Sequence, residues 1–471
     1  MAGQEDSERL TATASVRLRP GVGCVPHHGG GLYLAAWPHG QHLPAMTPAQ
    51  REVLARLAEG PCDRHGLTGE ERELAELLER GGWLETTLHQ GERPLYGIVP
   101  VKPLDAPGGP PPRGADPRWR LSRFALLRRE RAGMVLESPC ASADILIHDP
   151  ALLGLLGGPD GACGTCPSLP ADVFWRDLWR TGFLVDEEAG EERRLRHWSV
   201  HDLWFHTRSR SGSRGRPRHG FGATFRGRGR FPQPPARRAA SSGPLIDLFV
   251  PDLRGLRDAD PRLTALVEDR ESMRVHDDGD PLSLRRLGEF LYRCARVRDV
   301  TTSDGMQLVD VPYPSAGALG ELDLYLVVRR VTGLDPGLYL YDGHAHRLER
   351  RPADAAARRQ LVRDAAASAG GAPPPQVVIV VAARFARLMW KYEGMAYAAV
   401  LKDVGVLFEL MYLVAAAMGM AGCALGAGNA ELFSQAAGLD RFEESSVGEF
   451  LLGSALSPPV AEGGADGVPA A

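Results

Sequence analysis

Short runs of β-branched and aromatic residues, each closed by Gly or Pro, recur in the C-terminal half: GELDLYLVVRRV, PGLYLYDGHAHRLERR and PPQVVIVVAA. Each predicts a strand. SLRRLGEFLYRCARV and DAAARRQLVRDAAASA predict helices beside them. The longest apolar stretch, residues 395–425, predicts one helix from about Gly394 to Met418. It contains Lys402, Asp403 and Glu409, which are costly at mid-bilayer, so it reads as a core helix buried on most sides and not as a membrane span. Together these elements predict an α+β domain over residues 245–457, with a disordered tail over 458–471.

The N-terminal half has a different rhythm. LYLAAWPHGQHLPAMTPAQREVLARLAEG predicts a strand or hairpin, then a helix with Thr47 as N-cap, Pro48 at its first position and Gln50 closing a capping box. TGEERELAELLERGGWLETT repeats the pattern and stops at Gly81. With the hairpin-like WLETTLHQGERPLYGIVPV, these make a winged-helix-like module over residues 1–105. Acidic residues crowd its second helix, which suits a peptide better than a nucleic acid. A Pro/Gly linker over 106–118 marks a domain boundary. Strands around the turn in RLSRFALLRRERAGMVLESP and short helices in PADVFWRDLWRTGFLV predict a second small module over 119–206. Residues 207–244 then read as a linker, with ten Arg and no acidic residue between Thr207 and Ala240; a segment that stacks on single-stranded RNA, or a loop that closes over an acidic peptide or over the active site, stays open.

With 471 residues the chain should form two or three domains, and a net charge of -4 carries no nucleic-acid signature. MAGQEDSERLTATAS lacks a basic region followed by an apolar one, so the expected location is the cytoplasm. The seven Cys, at 24, 62, 140, 163, 166, 294 and 423, are scattered and odd in number, as reduced thiols would be. Cys163 and Cys166 form a lone CxxC without the second pair of a zinc site, and His197 and His201 have only Asp202 for company, so no metal is expected.

Four stretches carry candidate chemistry. In LVEDRESMRVH, Arg270 and Arg274 are four apart and share a face if helical, where two guanidinium forks suit a phosphate dianion; a solvated face has the same spacing. In VDVPYPSAGALGELDLYLVV, Pro314, Ser315, Ala316 and Gly317 leave nearly bare main chain for a flat ligand, or form an ordinary turn. AAAMGMAGCALGAGNAELF places a second small-residue turn after the apolar helix. WKYEGMAYAAVLKDVG sets Lys391 and Tyr392 side by side at the mouth of that helix.

In this order the motifs resemble the nitroreductase-like flavoprotein fold and, within it, the SagB-type (ThcOx-like) azoline dehydrogenases of peptide natural-product clusters. RLSRFALLRRERAGMVLESP and HDLWFHTRSRSG resemble their front half. The resemblance implies FMN bound at a homodimer interface. It implies oxidation of thiazoline or oxazoline rings, made from Cys, Ser or Thr of a precursor peptide, to aromatic azoles, with a cyclodehydratase complex as partner. Arg270, Ser272 and Arg274 would hold the FMN phosphate and ribityl chain; Pro314, Ser315, Ala316 and Gly317 would line the isoalloxazine, with Leu425 and Gly426 on its other side. Lys391 and Tyr392 would be catalytic. Two departures leave fewer cations: Glu271 stands where a second basic residue is common, and none follows Gly453.

Azoline oxidation removes one hydrogen as a proton and one as a hydride, so a base must accompany a flavin. A Lys held among Met389, Trp390 and Met395 can serve. Adjacent residues diverge on a regular helix, so Lys391 and Tyr392 share a site only at a helix entry; otherwise the Lys snorkels and the Tyr packs. Two other readings stay open, a small-molecule nitroreductase using NAD(P)H and a flavin-less scaffold for a cyclodehydratase. Two peptide-sized modules ahead of the flavin domain favour a peptide substrate.

Overall fold

A computed structural model describes residues 12–28, 31–36, 39–104, 118–131, 133–157, 171–186, 193–212, 220–239 and 243–456. The 106–118 linker except Arg118, the Cys163/Cys166 pair and the 458–471 tail lie outside the described residues. The chain divides into two compact units, Met1–Phe221 and Gly222–Ala471.

In the first unit, helix Pro48–Glu59 begins at Thr47, whose hydroxyl accepts the Gln50 N–H while the Gln50 side chain accepts the Thr47 N–H. Helix Gly69–Arg80 ends at Gly81. The strands form one seven-stranded sheet in the order Cys62–Asp63, Thr13–Leu18, Leu84–Gln90, Arg93–Pro100, Ala143–Ile147, Gly133–Glu137, Leu126–Glu130. Its middle pairing, from Tyr96↔Ile147 to Pro100↔Ala143, joins segments from opposite sides of the 106–118 linker. The two modules read from the sequence therefore share one sheet and a core in which Tyr96 and Ile98 meet Ile145, Phe174, Trp175 and Leu178. The physical reason is the Ala143–Ile147 strand. All five of its residues are buried, and such a strand takes a partner on each side whatever the chain does between them.

The second unit is built on a seven-stranded, wholly antiparallel sheet in the order Leu245–Asp247, Arg347–Arg351, Gly337–Asp342, Leu322–Val328, Val377–Arg384, Glu444–Ser454, Met420–Leu425. Alternation along the central strands separates two cores. Leu324, Leu326, Ile379 and Val381 meet helices Leu284–Ala295 and Ala396–Ala417, through Phe290, Leu291, Leu407 and Met411. Tyr325, Val327, Val378 and Val380 meet helices Ala355–Ser368 and Ala430–Ala437, through Leu361, Ala365, Phe433 and Ala437.

Two expectations are corrected here. The long helix Ala396–Ala417 buries one face, including Val400, Val404, Leu407 and Met411, while Leu401 and Val406 remain 38% exposed. Apolar residues on every side do not say which side the sheet will cover. The Arg-rich stretch read as a linker is, from 222 to 239, tied to the second unit: Arg228 pairs with Asp304, and Arg237 with Asp342. Arg238 pairs with Asp323 and Glu444. A basic run without acids of its own reads as solvated only while its carboxylate partners, distant in sequence, are out of view.

Candidate active site

The site loop leaves the hairpin Asp299–Ser303/Met306–Asp310 and runs through Pro312–Gly320 into the central strand Leu322–Val328. Ser315 is extended; Ala316–Ala318 form one tight turn in which Gly317 and Ala318 take φ of 63° and 53°. The Ala316 N–H donates to Asp403 Oδ2 at 2.7 Å, so the long helix holds the loop by a carboxylate in its first half. Beneath lies Glu321, with no exposed surface. Burial first, then the neighbouring Asp403, push its carboxyl up to about 8, so the protonated form is favoured at neutral pH. Arg387 braces the loop from behind. Fully buried, it donates to Leu319 O, to Gln307 O at 3.0 Å and to Pro234 O at 2.7 Å.

Lys391 and Tyr392 reach this loop. They follow helix Phe385–Met389, and Tyr392–Glu393 is a two-residue strand paired with Gly222–Ala223, so the stretch is not yet helical when it passes the site. The extended interruption lets two neighbours converge. A Cβ placed on Gly317 would lie 2.7 Å from the Tyr392 hydroxyl and 2.9 Å from Lys391 Nζ. Beside Pro314 and Ser315 a cavity of about 470 Å³ opens, lined also by Arg298, Thr301 and Asp310. A smaller one of about 320 Å³, among Arg237, Arg238, Asp323, Asp342 and Arg347, shares none of the candidate residues and is crossed by ion pairs.

A second cluster lies further along the same helix, at Tyr412. Arg270 is the C-cap of helix Leu263–Asp269 in extended geometry, and residues 271–276 are not helical. The shared helical face expected for Arg270 and Arg274 is therefore absent. The segment instead runs beside the edge strand, with the Met273 N–H donating to Gly422 O at 3.0 Å. The Arg270 guanidinium stacks 5.1 Å from the Tyr412 ring, Ser272 Oγ lies 2.9 Å from the Tyr412 hydroxyl, and the Ala424 N–H donates to that hydroxyl at 2.8 Å. Neither Arg270 nor Arg274 has a carboxylate within ion-pair reach among the described residues. Leu425 ends the edge strand and Gly426 follows, with open space where its Cβ would be. His276 packs on Gly453, but burial, then Arg329, lower it to about 4, so it adds no cation.

The structure thus gathers Lys391, Tyr392, Ala316 and Gly317 at one point, and Arg270 and Ser272 with the end of strand Met420–Leu425 at another. Asp403 and Tyr412 mark the two points, about 13 Å apart along the helix at 1.5 Å per residue. Sequence reading missed Tyr412 and Arg387 as site neighbours. It weighed Asp403 only against a membrane, although a carboxylate inside an apolar helix is itself a signal. Among the described residues, no group of His, Cys, Asp and Glu could hold a metal ion, and no helix is long and apolar enough to cross a membrane.

Residues 267–453 match the nitroreductase family model, and residues 119–165 match that of the cyanobactin oxidase ThcOx. A Methanocaldococcus jannaschii protein that carries a nitroreductase name is 28% identical over 185 residues, 39% of this chain and 86% of its own. Among solved structures, a nitroreductase-named protein of Anabaena variabilis is 24% identical over 47% of this chain but only 40% of its own, with a TM-score of 0.35. A chain of the E. coli microcin synthetase McbBCD complex with truncated pro-MccB17 bound is 18% identical over 47% of this chain and 85% of its own, with a TM-score of 0.33. Likenesses that loose do not bear on activity.

Proposed function

We propose that this chain, whose residues 267–453 form a nitroreductase-family domain, is an FMN-dependent dehydrogenase that oxidises thiazoline or oxazoline rings of a precursor peptide to azoles. The observation that carries this reading is the meeting of Lys391 Nζ and the Tyr392 hydroxyl at Gly317. A base and a phenol held against a bare stretch of backbone suit the removal of a ring proton above a flat cofactor. The ThcOx match over residues 119–165 favours a peptide substrate over a small electrophile.

The residues fit FMN on two counts. Among the described residues, Arg270 and Arg274 are guanidinium groups without carboxylate partners, as a phosphate site requires, with Ser272 between them. Pro314, Ser315, Ala316 and Gly317, and separately Leu425 and Gly426, offer main chain with little side-chain bulk, and would line the two faces of a planar ring. Bound FMN would supply the hydride acceptor.

The chain's own part is to place and deprotonate the ring. Lys391 takes the carbon-bound proton, and Tyr392 orients Lys391 or shares that proton. Asp403 keeps the loop closed against the helix through the Ala316 N–H. Exposed Leu263, Val267, Leu401 and Val406, on the two helices flanking the Arg270 segment, would be covered by a second copy of the chain. The first unit would receive the precursor and its cyclodehydratase.

The direct test is incubation of the yellow, flavin-loaded protein with a peptide carrying one thiazoline. A loss of two mass units supports the proposal. A colourless protein, or a yellow one that reduces nitroarenes but leaves the ring intact, ends it.

A further inference from the structure

Each residue from Trp390 to Glu393 is bonded to residues 222–231. The Gly227 N–H donates to Trp390 O at 2.9 Å, and the Trp390 indole N–H donates to Phe231 O at 2.9 Å. The Phe225 N–H donates to Lys391 O at 2.9 Å. Tyr392 and Glu393 pair with Ala223 and Gly222, and the Thr224 hydroxyl donates to Glu393 Oε2 at 2.6 Å. A Cβ at Gly227 would lie 2.2 Å from the Trp390 ring, so this strap fits only with glycine there.

Phe225 is the anomalous member. Its φ of 53° lies in the left-handed region, which a bulky residue without β-branching still enters only under constraint. The conformation turns its ring to within 5.6 Å of Lys391 Nζ, while the Tyr392 ring lies 5.1 Å from the same nitrogen. A lysine nitrogen on a four-carbon stem has many rotamers, and two aromatic rings narrow them. The ring is itself held: Arg228 stacks on it at 4.6 Å and pairs with Asp304 at 2.6 Å. Restraint therefore runs from the Asp299–Ser303/Met306–Asp310 hairpin, through Arg228 and Phe225, to Lys391.

We propose that Phe225 is a positioning residue for ring oxidation, holding Lys391 Nζ at Gly317 without itself touching the ring that reacts. This rests on Lys391 being the base.

The test compares the parent, Phe225→Gly, Phe225→Tyr, Lys391→Ala and the Phe225→Gly/Lys391→Ala double variant, each as the full flavin-loaded chain on a peptide with one thiazoline. Glycine suits a positive φ, so Phe225→Gly removes the ring without straining the backbone. It should keep its flavin content and KM and lower kcat by about tenfold to a hundredfold, the scale of a misplaced catalytic group. Phe225→Tyr should restore the parent rate. In the Lys391→Ala background Phe225→Gly should change nothing, because the residue it acts through is gone. An unchanged kcat, a loss of flavin, or the same fold-loss with and without Lys391 would overturn the inference. If Lys391→Ala alone turns over at the parent rate, the reading of Lys391 falls instead, whatever Phe225 does.

Discussion

Gly317 and Tyr392 are matched by a missing atom: a Cβ on Gly317 would sit 2.7 Å from the Tyr392 hydroxyl. Gly317→Ala therefore displaces that hydroxyl and, at 2.9 Å, Lys391 Nζ as well. The ends of both side chains can swing away, so the protein should fold, with a cost of about 1–2 kcal/mol for a non-glycine at φ 63°. kcat should fall by about a hundredfold. Thermal denaturation and turnover of an azoline peptide, measured together, separate the two effects, and a fully active Gly317→Ala protein would contradict this geometry.

Lys391→Ala should keep its flavin and lose about 10² to 10⁴ in kcat, the contribution of a placed base. Tyr392→Phe keeps the ring beside Lys391 Nζ and removes only the hydroxyl. A small loss makes the phenol an orienting group; a loss as large as that of Lys391→Ala makes it the base. Flavin absorbance per protein, recorded beside the mass change, checks both variants.

The phosphate assignment predicts a separable defect. Arg270→Ala and Arg274→Ala should each remove charge-assisted bonding worth roughly 1.5–3 kcal/mol and weaken FMN binding by about ten- to a hundredfold or more. Excess FMN in the assay should restore turnover, as it cannot for Lys391→Ala. Titration of apoprotein with FMN measures the loss, and undiminished affinity in the double variant would remove these residues from the phosphate site.

Stability should depend on pH through Glu321. Burial and Asp403 raise its carboxyl from an ordinary 4.5 to about 8, so the folded chain binds that proton more tightly than the unfolded chain does. The stability this group contributes is complete below about pH 4.5 and is lost as pH rises through about 8. Glu321→Gln, which mimics the neutral acid, should flatten that slope and be the more stable protein above pH 8. Urea midpoints at pH 5.5 and 8.5 for parent and variant test it; parallel shifts in both proteins would show that the proton sits elsewhere.

Truncation should respect the sheet. Deleting residues 1–105 removes the Arg93–Pro100 partner of the fully buried strand Ala143–Ile147 and should give an aggregating protein. Residues 222–471 contain both site clusters and the strap. That fragment should bind FMN and oxidise a short azoline, yet lose rate on a full precursor if the first unit recognises peptide. Equal rates on the two substrates would assign that unit another task.

Much of this protein was legible locally. The Thr47 cap with Pro48 and Gln50, the stop at Gly81 and the reach of the long helix rest on interactions within a few residues, and single-chain patterns report those directly; the strands of the second unit showed in their runs of β-branched and aromatic residues, though not in their pairing. The family resemblance grouped Arg270, the Pro314–Gly317 turn and the Lys391–Tyr392 pair as one proposed site, whose members the structure gathers at two points along the long helix. Tertiary structure decided what depends on partners far along the chain. It joined two expected modules through Tyr96↔Ile147, gave the basic run its carboxylates at Asp304, Asp323 and Asp342, and left one face of the long helix bare. It also let Lys391 and Tyr392 face the same glycine, because pairing with Gly222–Ala223 keeps that stretch extended. A helical pattern tells only which residues share a face; what lies across from that face is set by contacts the sequence separates by tens to hundreds of positions.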